Sequence, residues 1–587
     1  MLYMKLLSKY FTLLKQDFLL FTLLSLPGIV FYFIGLWQLE AFSISTLTIG
    51  LLTKFCVEFL TISIIFYIVH ILGFKKRGVF ALVFFLYYIT ITADIVLLMY
   101  FKERFGLKHV MTLGGAQYQF MTDIRLLCYF AFIYFFPFFV VGKFWHAASR
   151  HISAKKMAFC AVLLLVVSVI SPIFYLKSPS AFFSTQLMDT TLAGIVKDLI
   201  NKKSAPEVLP LDSEKIALAV QNYNLFKPTD FVNKKNYKRI ILITTEALSN
   251  KFSNMVNPAI PPAASAVIDG LKQNYPNISL KPTTISTLYG LSVIFSGHAN
   301  PELMFENEYP LSFVKILKNN GFKTAFIRGA NEHYMNEDVL FKQAGFGEVY
   351  GADYFANTPY AGKIAWWGLT DRSLFDFTIN YLKENRDQKV FIDILNVDTH
   401  VPSGRTDYMG QEYPPLNLEG IDPKIAAAYD RPNMARAFRN YDYELGLFIE
   451  NLQKENLLDD DTLLIVTADH PFYANLDIGP LVKNYQKNFE EVPFILITKN
   501  KIEEVLTSDK NASQQDIGPT ILGLAGFKTP QNMMGRSLFE NTPERSVFEL
   551  KNNYVIVQSK GQKQIISKKA KEPNQKSLIT LLTSVIK

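Results

Sequence analysis

Acidic residues and histidines follow three apolar segments of this chain, at the point where each segment ends. IILITTE ends on Glu246, FIDILNVDTH carries Asp398 and His400, and TLLIVTADH ends on Asp469 and His470. Carboxylate oxygens and imidazole nitrogens together suit a divalent cation such as manganese or zinc. Each residue alone has a simpler explanation, because an acid after a strand often caps a helix and a single histidine is usually structural. Three segments that end in this way predict a metal site.

A stretch rich in hydroxyl side chains lies between the first two of these segments. In KPTTISTLYGLSVIFSGHAN, the apolar residues after Thr287 predict a helix that stops at Gly297. The start of a helix favours an anion, and a nearby cation would lower the pKa of a hydroxyl and make it a nucleophile. A helix N-cap without chemistry is the simpler interpretation. Spacing alone does not choose among Thr283, Thr284, Ser286 and Thr287.

Strand-like and helix-like segments alternate in the part of the chain that would position these residues. The strand-like segments are RIILITTEA, KTAFIRG, KVFIDILNV, TLLIVTADH and VPFILITKN, and amphipathic helical patterns separate most of them. This order predicts an α/β domain with a mainly parallel central sheet and helices on both faces. Chemistry in such sheets lies just beyond the carboxyl ends of the strands. The tail RSVFELKNNYVIVQSKGQKQIIS predicts a small antiparallel addition.

The first third of the chain is dominated by long apolar runs. The whole chain is 49% hydrophobic, with 49 phenylalanines and 29 tyrosines, and the long apolar runs lie before about residue 180. Crossing a bilayer takes about 20 helical residues. Runs of sufficient length occupy about 18–38, 44–73, 79–101, 124–142 and 157–176. They predict an N-terminal five-helix transmembrane bundle, with a single anchor followed by core helices as the alternative.

The distribution of basic residues predicts the orientation of this bundle. Lysine and arginine concentrate before the first run, between the second and third, and between the fourth and fifth. The positive-inside rule therefore places the N-terminus in the cytoplasm and everything after residue 180 outside it. We interpret the net charge of +8 as this topology signal, with no nucleic-acid footprint. The cysteines, which all fall in apolar runs, are Cys56, Cys128 and Cys160.

Three domains are predicted from these patterns. They are a transmembrane domain at 1–178, a juxtamembrane linker with amphipathic helices at 179–236, and an extracytoplasmic domain at 237–587.

Charged residues interrupt the membrane runs at a few positions. Lys54 and Glu58 are one turn apart and can pair, and Asp94 lies in the third run. These polar residues have a structural interpretation, as a pair that holds the bundle together, and a functional one, as a lining for a lipid headgroup.

Five motifs resemble those of a known family. LITTEAL, STLYGLSVIFSG, VDTHVPSG, TADHPFYAN and DIGPTILGLAGF…MGRSLF occur in the order of the sulfatase-like branch of the alkaline phosphatase superfamily. The predicted layout resembles that of lipoteichoic acid synthases and lipid A phosphoethanolamine transferases. The motifs are most similar to those of the phosphoglycerol transferases that modify periplasmic glucans.

The resemblance implies roles for individual residues. Glu246, Asp469 and His470 match metal ligands, and Thr287 matches the nucleophilic threonine that also binds the metal. His400 matches the histidine that contacts the substrate phosphate or the leaving oxygen. Weaker candidates for substrate binding are Asp398, His333, Arg328 and Arg405. The resemblance implies one divalent ion, manganese or zinc, and allows a second.

The implied activity is a transfer reaction at a bacterial cytoplasmic (inner) membrane, with a multi-pass anchor and a periplasmic catalytic domain. The donor would be phosphatidylglycerol or phosphatidylethanolamine, and the acceptor a hydroxyl of an envelope glycan or glycolipid. A membrane-anchored phosphodiesterase and a non-catalytic glycan-binding protein are the alternatives. Sulfate-ester cleavage is disfavoured, because the exported domain has no cysteine and no C/S-x-P-x-R string.

Overall fold

The structure is a computed structural model in which the chain forms two compact units, residues 1–202 and residues 203–587. In the first unit the described residues are 22–30, 32–33, 54–55, 58–59, 61–62, 65, 79, 82–89, 91 and 139–140. In the second unit they are 207–226, 231–233, 235, 237–258, 260–305, 311–333, 337–360, 364–365, 368–400, 413, 416, 434–472, 490–500, 506–507, 511–540, 546–550, 554–559 and 562–586.

The first unit is helical at every described position. Lys54 and Glu58 form a buried ion pair with 2.6 Å between Nζ and Oε1, so the predicted pairing is confirmed. The Tyr87 hydroxyl donates to the other oxygen of Glu58 at 2.6 Å. A Cβ at Gly28 would overlap the Glu58 carboxyl group, so that glycine makes room for the pair.

A search of the described helices finds none that combines the length and the apolar character needed to cross a bilayer. The predicted membrane residues that lie outside the described ranges are Asp94, Cys56, Cys128 and Cys160.

The second unit contains the predicted alternation of strands and helices. Its strands are β1 Val208–Leu209, β2 Arg239–Thr245, β3 Asn277–Leu280, β4 Lys323–Arg328, β5 Glu348–Tyr350, β6 Ile364–Ala365, β7 Gly368–Leu369, β8 Val390–Leu395, β9 Thr462–Ala468, β10 Val492–Ile497, β11 Val547–Leu550, β12 Tyr554–Ser559, β13 Gln562–Ser567 and β14 Val585–Ile586. Its α-helices are α1 Glu214–Asn222, α2 Ala266–Asn274, α3 Thr287–Ser296, α4 Phe313–Asn319, α5 Glu337–Ala344, α6 Ala352–Phe355, α7 Asp371–Glu384, α8 Met434–Lys454, α9 Ile517–Leu524 and α10 Pro573–Thr583.

The central sheet has seven strands in the order β3-β10-β9-β2-β8-β4-β5. The five strands from β9 to β5 are parallel, which confirms the predicted mainly parallel sheet. All residues of β2, β8 and β9 are buried, as expected for strands covered on both faces. Sequence periodicity gave no sign that β10, the segment VPFILI, runs antiparallel to both of its neighbours.

Helices pack around this sheet in two groups. Helices α7 and α2 contact the long helix α8, while α3, α4 and α9 contact one another. Aromatic side chains fill much of the resulting core: Phe326 stacks on Phe341 at 3.8 Å between ring centroids, and Phe375 stacks on Phe448 at 4.5 Å. This packing supplies a rigid base for the residues that follow the strands.

A second hydrophobic core joins the two ends of this unit. The strands β11, β12 and β13 form the predicted antiparallel addition, which is thus confirmed. Helix α10 packs on α1, where the Ala219 N–H donates to the Ser577 hydroxyl at 3.1 Å. Strand β14 pairs in parallel with β1. We call residues 546–586 the C-terminal module. The predicted linker therefore contains an amphipathic helix, α1, and this helix packs on the C-terminal module.

Candidate metal centre

The central pairing of the sheet brings two of the predicted motifs together. In the parallel ladder of β2 and β9, Thr245 lies opposite Ala468. The next residues, Glu246 on one strand and Asp469 on the other, therefore leave the sheet side by side. His470 follows at once, and the Asp469 N–H still bonds to the Thr245 carbonyl at 3.3 Å. The two strands thus deliver both acids and the imidazole to one edge.

Glu246, Asp469 and His470 form a buried cluster whose potential ligand atoms all lie within 4.8 Å of one another. The His470 Nε2 atom is 3.3 Å from Glu246 Oε1 and 3.4 Å from Asp469 Oδ2. The Thr287 hydroxyl oxygen is 3.3 Å from Glu246 Oε2 and 3.4 Å from His470 Nε2. The structure therefore brings together the four residues predicted for a metal site.

Two carboxylate oxygens in this cluster have no hydrogen-bond donor among the described residues. They are Glu246 Oε1 and Asp469 Oδ2, and both are buried. The other Asp469 oxygen, Oδ1, accepts from the Ala247 N–H at 2.9 Å and the His470 N–H at 2.7 Å. Buried, undonated carboxylate oxygens are costly unless a cation neutralises them. The donor set fits one divalent ion, with Asp469 offering a single oxygen.

Electrostatics within the cluster also favour a cation. Burial and the nearby charge of Glu246 raise the pKa of Asp469 well above its usual range. Burial acts against ionisation of Glu246, but the positive charges of His400 and His470 lower its pKa to about 2. Burial likewise opposes the charge on His470, yet Asp469 and Glu246 raise its pKa to about 9. Glu246 and Asp469 can therefore lie side by side in a buried place only with positive charge between them, which His470 supplies when it is protonated and a bound cation can supply instead.

The backbone around Glu246 is fixed by residues that follow β8. The Asn396 side-chain oxygen accepts the Glu246 N–H at 2.7 Å, and the Thr399 hydroxyl donates to the Glu246 carbonyl at 2.8 Å. Asn396 also donates to Thr399 at 3.1 Å. Ala247 then has a φ of 57°, a left-handed conformation that non-glycine residues seldom adopt. Such strain is characteristic of functional sites, and here it directs the Ala247 N–H to Asp469.

A buried glutamine connects the hydroxyl-rich loop to the end of β9. The Gln514 side-chain nitrogen donates to the carbonyls of Ala468 at 2.9 Å and Asp469 at 2.8 Å, and its oxygen accepts from the Thr283 N–H at 3.4 Å. A Cβ at Gly290 of α3 would overlap the Asp469 carbonyl, so the helix that begins at Thr287 lies directly against this loop. Gln514 and Gly290 therefore set the position of the hydroxyl relative to the acids.

Sequence reasoning did not single out Gln514, Asn396 or Ala247. Gln514 begins the 3₁₀ turn just before the DIGPTILGLAGF motif, and Asn396 lies two residues before Asp398. A single polar residue in or beside a motif, such as Asn396 or Gln514, is a weak signal because its partners are distant in sequence.

The other predicted residues are placed as follows. His400 is half-buried and near enough to Glu246 to lower the pKa of that acid. Asp398 is fully buried and accepts the Asp371 N–H at 2.8 Å, at the start of α7. This is the helix-capping contact that we considered as the simpler explanation for acids after strands. The Thr370 hydroxyl caps the same helix by accepting from the Ser373 N–H.

The three weaker candidates are distributed differently. Arg328 ends β4 and forms a buried ion pair with Glu337. His333 is exposed, and its Nδ1 is 3.5 Å from Asp338 Oδ2. Arg405 lies outside the described residues. Their proposed contacts with substrate stay predictions, as does that of Asp398.

Comparisons with known proteins give matches in sequence. Residues 278–527 match the sulfatase family, a range that includes Thr287, Asp469 and His470 and begins after Glu246. Phosphoglycerol transferase I of Salmonella paratyphi B is 26% identical over 240 residues, which are 40% of this chain and 29% of that protein. The protein of the same name from Escherichia coli O6:K15:H31 is 25% identical over 307 residues, or 49% and 37% of the two chains. The chain thus matches about a third of the length of these curated relatives.

A solved structure extends the similarity in fold. The integral membrane protein lipooligosaccharide phosphoethanolamine transferase A of Neisseria meningitidis aligns with 88% of this chain and 96% of its own, with a TM-score of 0.54 and 14% identity. The structural alignment covers more of this chain than residues 278–527, the part that matches the sulfatase family. This structural match is a similarity in fold alone. The sequence matches to the sulfatase family and to the phosphoglycerol transferases are what bear out the resemblance of the motifs to the sulfatase-like branch.

Proposed function

We propose that this protein, which carries a sulfatase-like domain of the alkaline phosphatase superfamily, is a metal-dependent phosphotransferase of the cell envelope. It transfers a phosphoglycerol or phosphoethanolamine group from phosphatidylglycerol or phosphatidylethanolamine to a hydroxyl of an envelope glycan or glycolipid. The observation that carries this proposal is the Thr287 hydroxyl, 3.3 Å from Glu246 and 3.4 Å from His470, beside buried carboxylate oxygens to which none of the described residues donates.

The location follows from the same proposal. The apolar runs of the first 178 residues form a multi-pass anchor in the bacterial cytoplasmic (inner) membrane, and the catalytic domain is periplasmic. The curated relatives matched here are phosphoglycerol transferases, and the structural neighbour is an integral membrane phosphoethanolamine transferase. An anchored site stays close to a lipid donor, which a freely diffusing domain would have to find.

Glu246, Asp469, His470 and Thr287 would hold the divalent ion, which supplies positive charge that lowers the pKa of the hydroxyl and offsets charge on the phosphate. In the first step Thr287, whose hydroxyl proton has been released to solvent, attacks phosphorus through its oxygen, and the bond from phosphorus to the diacylglycerol oxygen breaks. His400 gives a proton to that departing oxygen. In the second step the acceptor hydroxyl attacks the same phosphorus, its proton passes to His400, and the bond to Thr287 breaks, which restores the deprotonated Thr287 oxygen.

Replacing the nucleophile tests the covalent route. In Thr287→Ala, transfer of labelled glycerol phosphate from phosphatidylglycerol should fall by at least about 10³-fold, because no alcohol remains to attack. Metal content and melting temperature should be close to those of the unmodified protein. Ser286→Ala is the matched control, since Ser286 is the N-cap of α3 and its side chain makes no capping hydrogen bond.

Two results would count against the proposal. Undiminished transfer by Thr287→Ala would remove the covalent step. Release of the label as free glycerol phosphate, in the presence of acceptor glycan, would identify a phosphodiesterase. Mass spectrometry of the adduct trapped on Thr287 identifies the headgroup, because phosphoglycerol and phosphoethanolamine differ in mass.

A further inference from the structure

Positive charge is concentrated at the end of the chain. Residues 551–587 contain eight lysines and a single acidic residue, Glu572. Residues 179–550 contain 36 basic and 45 acidic residues, so the rest of the exported part is net negative. The C-terminal module is therefore a local basic region, distinct from the basic loops that we interpreted as a topology signal.

The lysines accompany an exposed apolar surface. Strand β13 is at the edge of its three-stranded sheet, and Ile566 points into the second core. Because side chains alternate along a strand, Lys563 and Ile565 share the opposite face. Ile565 is 64% exposed, and Tyr554 of β12, whose register places it on the same face, is 39% exposed. We call this the basic sheet face.

The basic character continues beyond the strand. Lys569 and Lys571 follow β13 directly, and both are exposed. Lysines on an edge strand commonly prevent pairing with another chain, and this explains Lys563. It does not explain the lysines after the strand, nor an isoleucine exposed among them, which would itself promote association.

We propose that the basic sheet face binds the surface of an anionic phospholipid bilayer. Each lysine is attracted electrostatically to the anionic headgroups before it touches them. The side chains of Ile565 and Tyr554 can then insert among the lipid headgroups at the bilayer surface. The charge complementarity selects this occupant, because a neutral surface would gain only the small apolar contact. The inference does not depend on the transferase activity, since it concerns residues distant in sequence from Thr287 and Glu246.

The test uses the full chain in phosphatidylcholine nanodiscs. Co-flotation is measured with vesicles of phosphatidylcholine alone and with vesicles of equal parts phosphatidylcholine and phosphatidylglycerol. Binding to the anionic vesicles should be strong, and it should weaken with salt. The triple variant K563Q/K569Q/K571Q should bind about 10²-fold more weakly, at about fivefold per lysine. The control K318Q/K342Q/K454Q removes three exposed lysines on helices and should bind as the unmodified protein does.

A second variant separates the apolar contribution. Ile565→Ser should weaken anionic binding severalfold at every salt concentration, because the lost contact is not ionic. The proposal is overturned if the triple variant binds as well as the control variant. It is also overturned if the triple variant keeps its lipid binding but self-associates, since the lysines then only protect the edge. Equal binding to phosphatidylcholine vesicles, or binding to DNA in preference to anionic vesicles, would also overturn it.

Discussion

Two buried acids of the same sheet have opposite surroundings. Asp469 leaves the end of β9 and meets His470, Glu246 and two backbone N–H groups. Asp393 lies in the middle of β8, where the Thr244 hydroxyl donates to one oxygen at 2.8 Å and the other oxygen has no donor among the described residues. Burial raises the pKa of Asp393 to about 8, so this group is protonated near neutral pH.

The difference shows what makes a buried carboxylate useful. Both acids lose their hydration, but only the one at the strand end gains partners of opposite charge. A single acid inside a sheet stays neutral, whereas the two acids at its edge lie beside histidines and form a site that attracts positive charge. The three predictions below remove one element of this contrast at a time.

The largest effect is expected at the strand end. Asp469→Asn should lower transferase activity on the order of 10³-fold, because a neutral amide is a poor ligand for a divalent ion. Bound manganese or zinc, measured by elemental analysis after dialysis, should fall below one ion per chain. The matched variant Asp393→Asn should keep its metal. Equal metal content in the two variants would contradict the assignment of the site.

A smaller effect is expected from the buried glutamine. Gln514→Glu keeps the shape but replaces the donor to the Ala468 and Asp469 carbonyls by an acid. Loss of such a support for metal ligands typically costs 10- to 100-fold in activity or metal affinity. We expect a lower kcat with KM little changed, because Thr287 and the ligands are misplaced while lipid binding is not. A fall in melting temperature at full kcat would instead make Gln514 purely structural.

The smallest effect concerns pH and stability at Asp393. The folded-state pKa of about 8 is above the unfolded value of 3.8, so the folded protein binds more protons between these pH values and its stability falls as pH rises through them. Asp393→Asn has no such dependence. Its free energy of unfolding relative to the unmodified protein should therefore rise by about 1.4 kcal/mol per pH unit between pH 5 and 7. Parallel stability curves, from denaturant unfolding of the two proteins, would refute the assignment.

Much of the site could be predicted from the sequence because strand ends are local features. Glu246, Asp469 and His470 follow continuous apolar runs, and parallel strands bring their carboxyl ends together. The hydroxyl was different, since four candidates had equivalent spacing and only the family resemblance selected Thr287. The structure then shows why that choice is physically sensible, because Thr287 begins α3 and Gly290 lets the helix approach the Asp469 carbonyl.

The remaining features depend on contacts between distant segments. Gln514 lies 45 residues from Asp469, and no periodicity records which carbonyls it meets. The reversed direction of β10 is likewise not marked in the residues of the strand itself. Asp398 has a similar position after a strand, and one of its carboxylate oxygens accepts the Asp371 N–H at the start of α7, a contact that the sequence does not indicate.

The pairing of β1 with β14 has a consequence for biogenesis. Val208 and Val585 stand at the two extremes of the second unit, and they lie opposite each other in one ladder. A ribosome makes the first of these strands long before the last. The segment around α1 therefore emerges before residues 573–586, which cover its apolar side, have been synthesised. Loss of α10 and β14 would consequently expose the apolar residues of α1 and β1, more than 300 positions earlier in the chain.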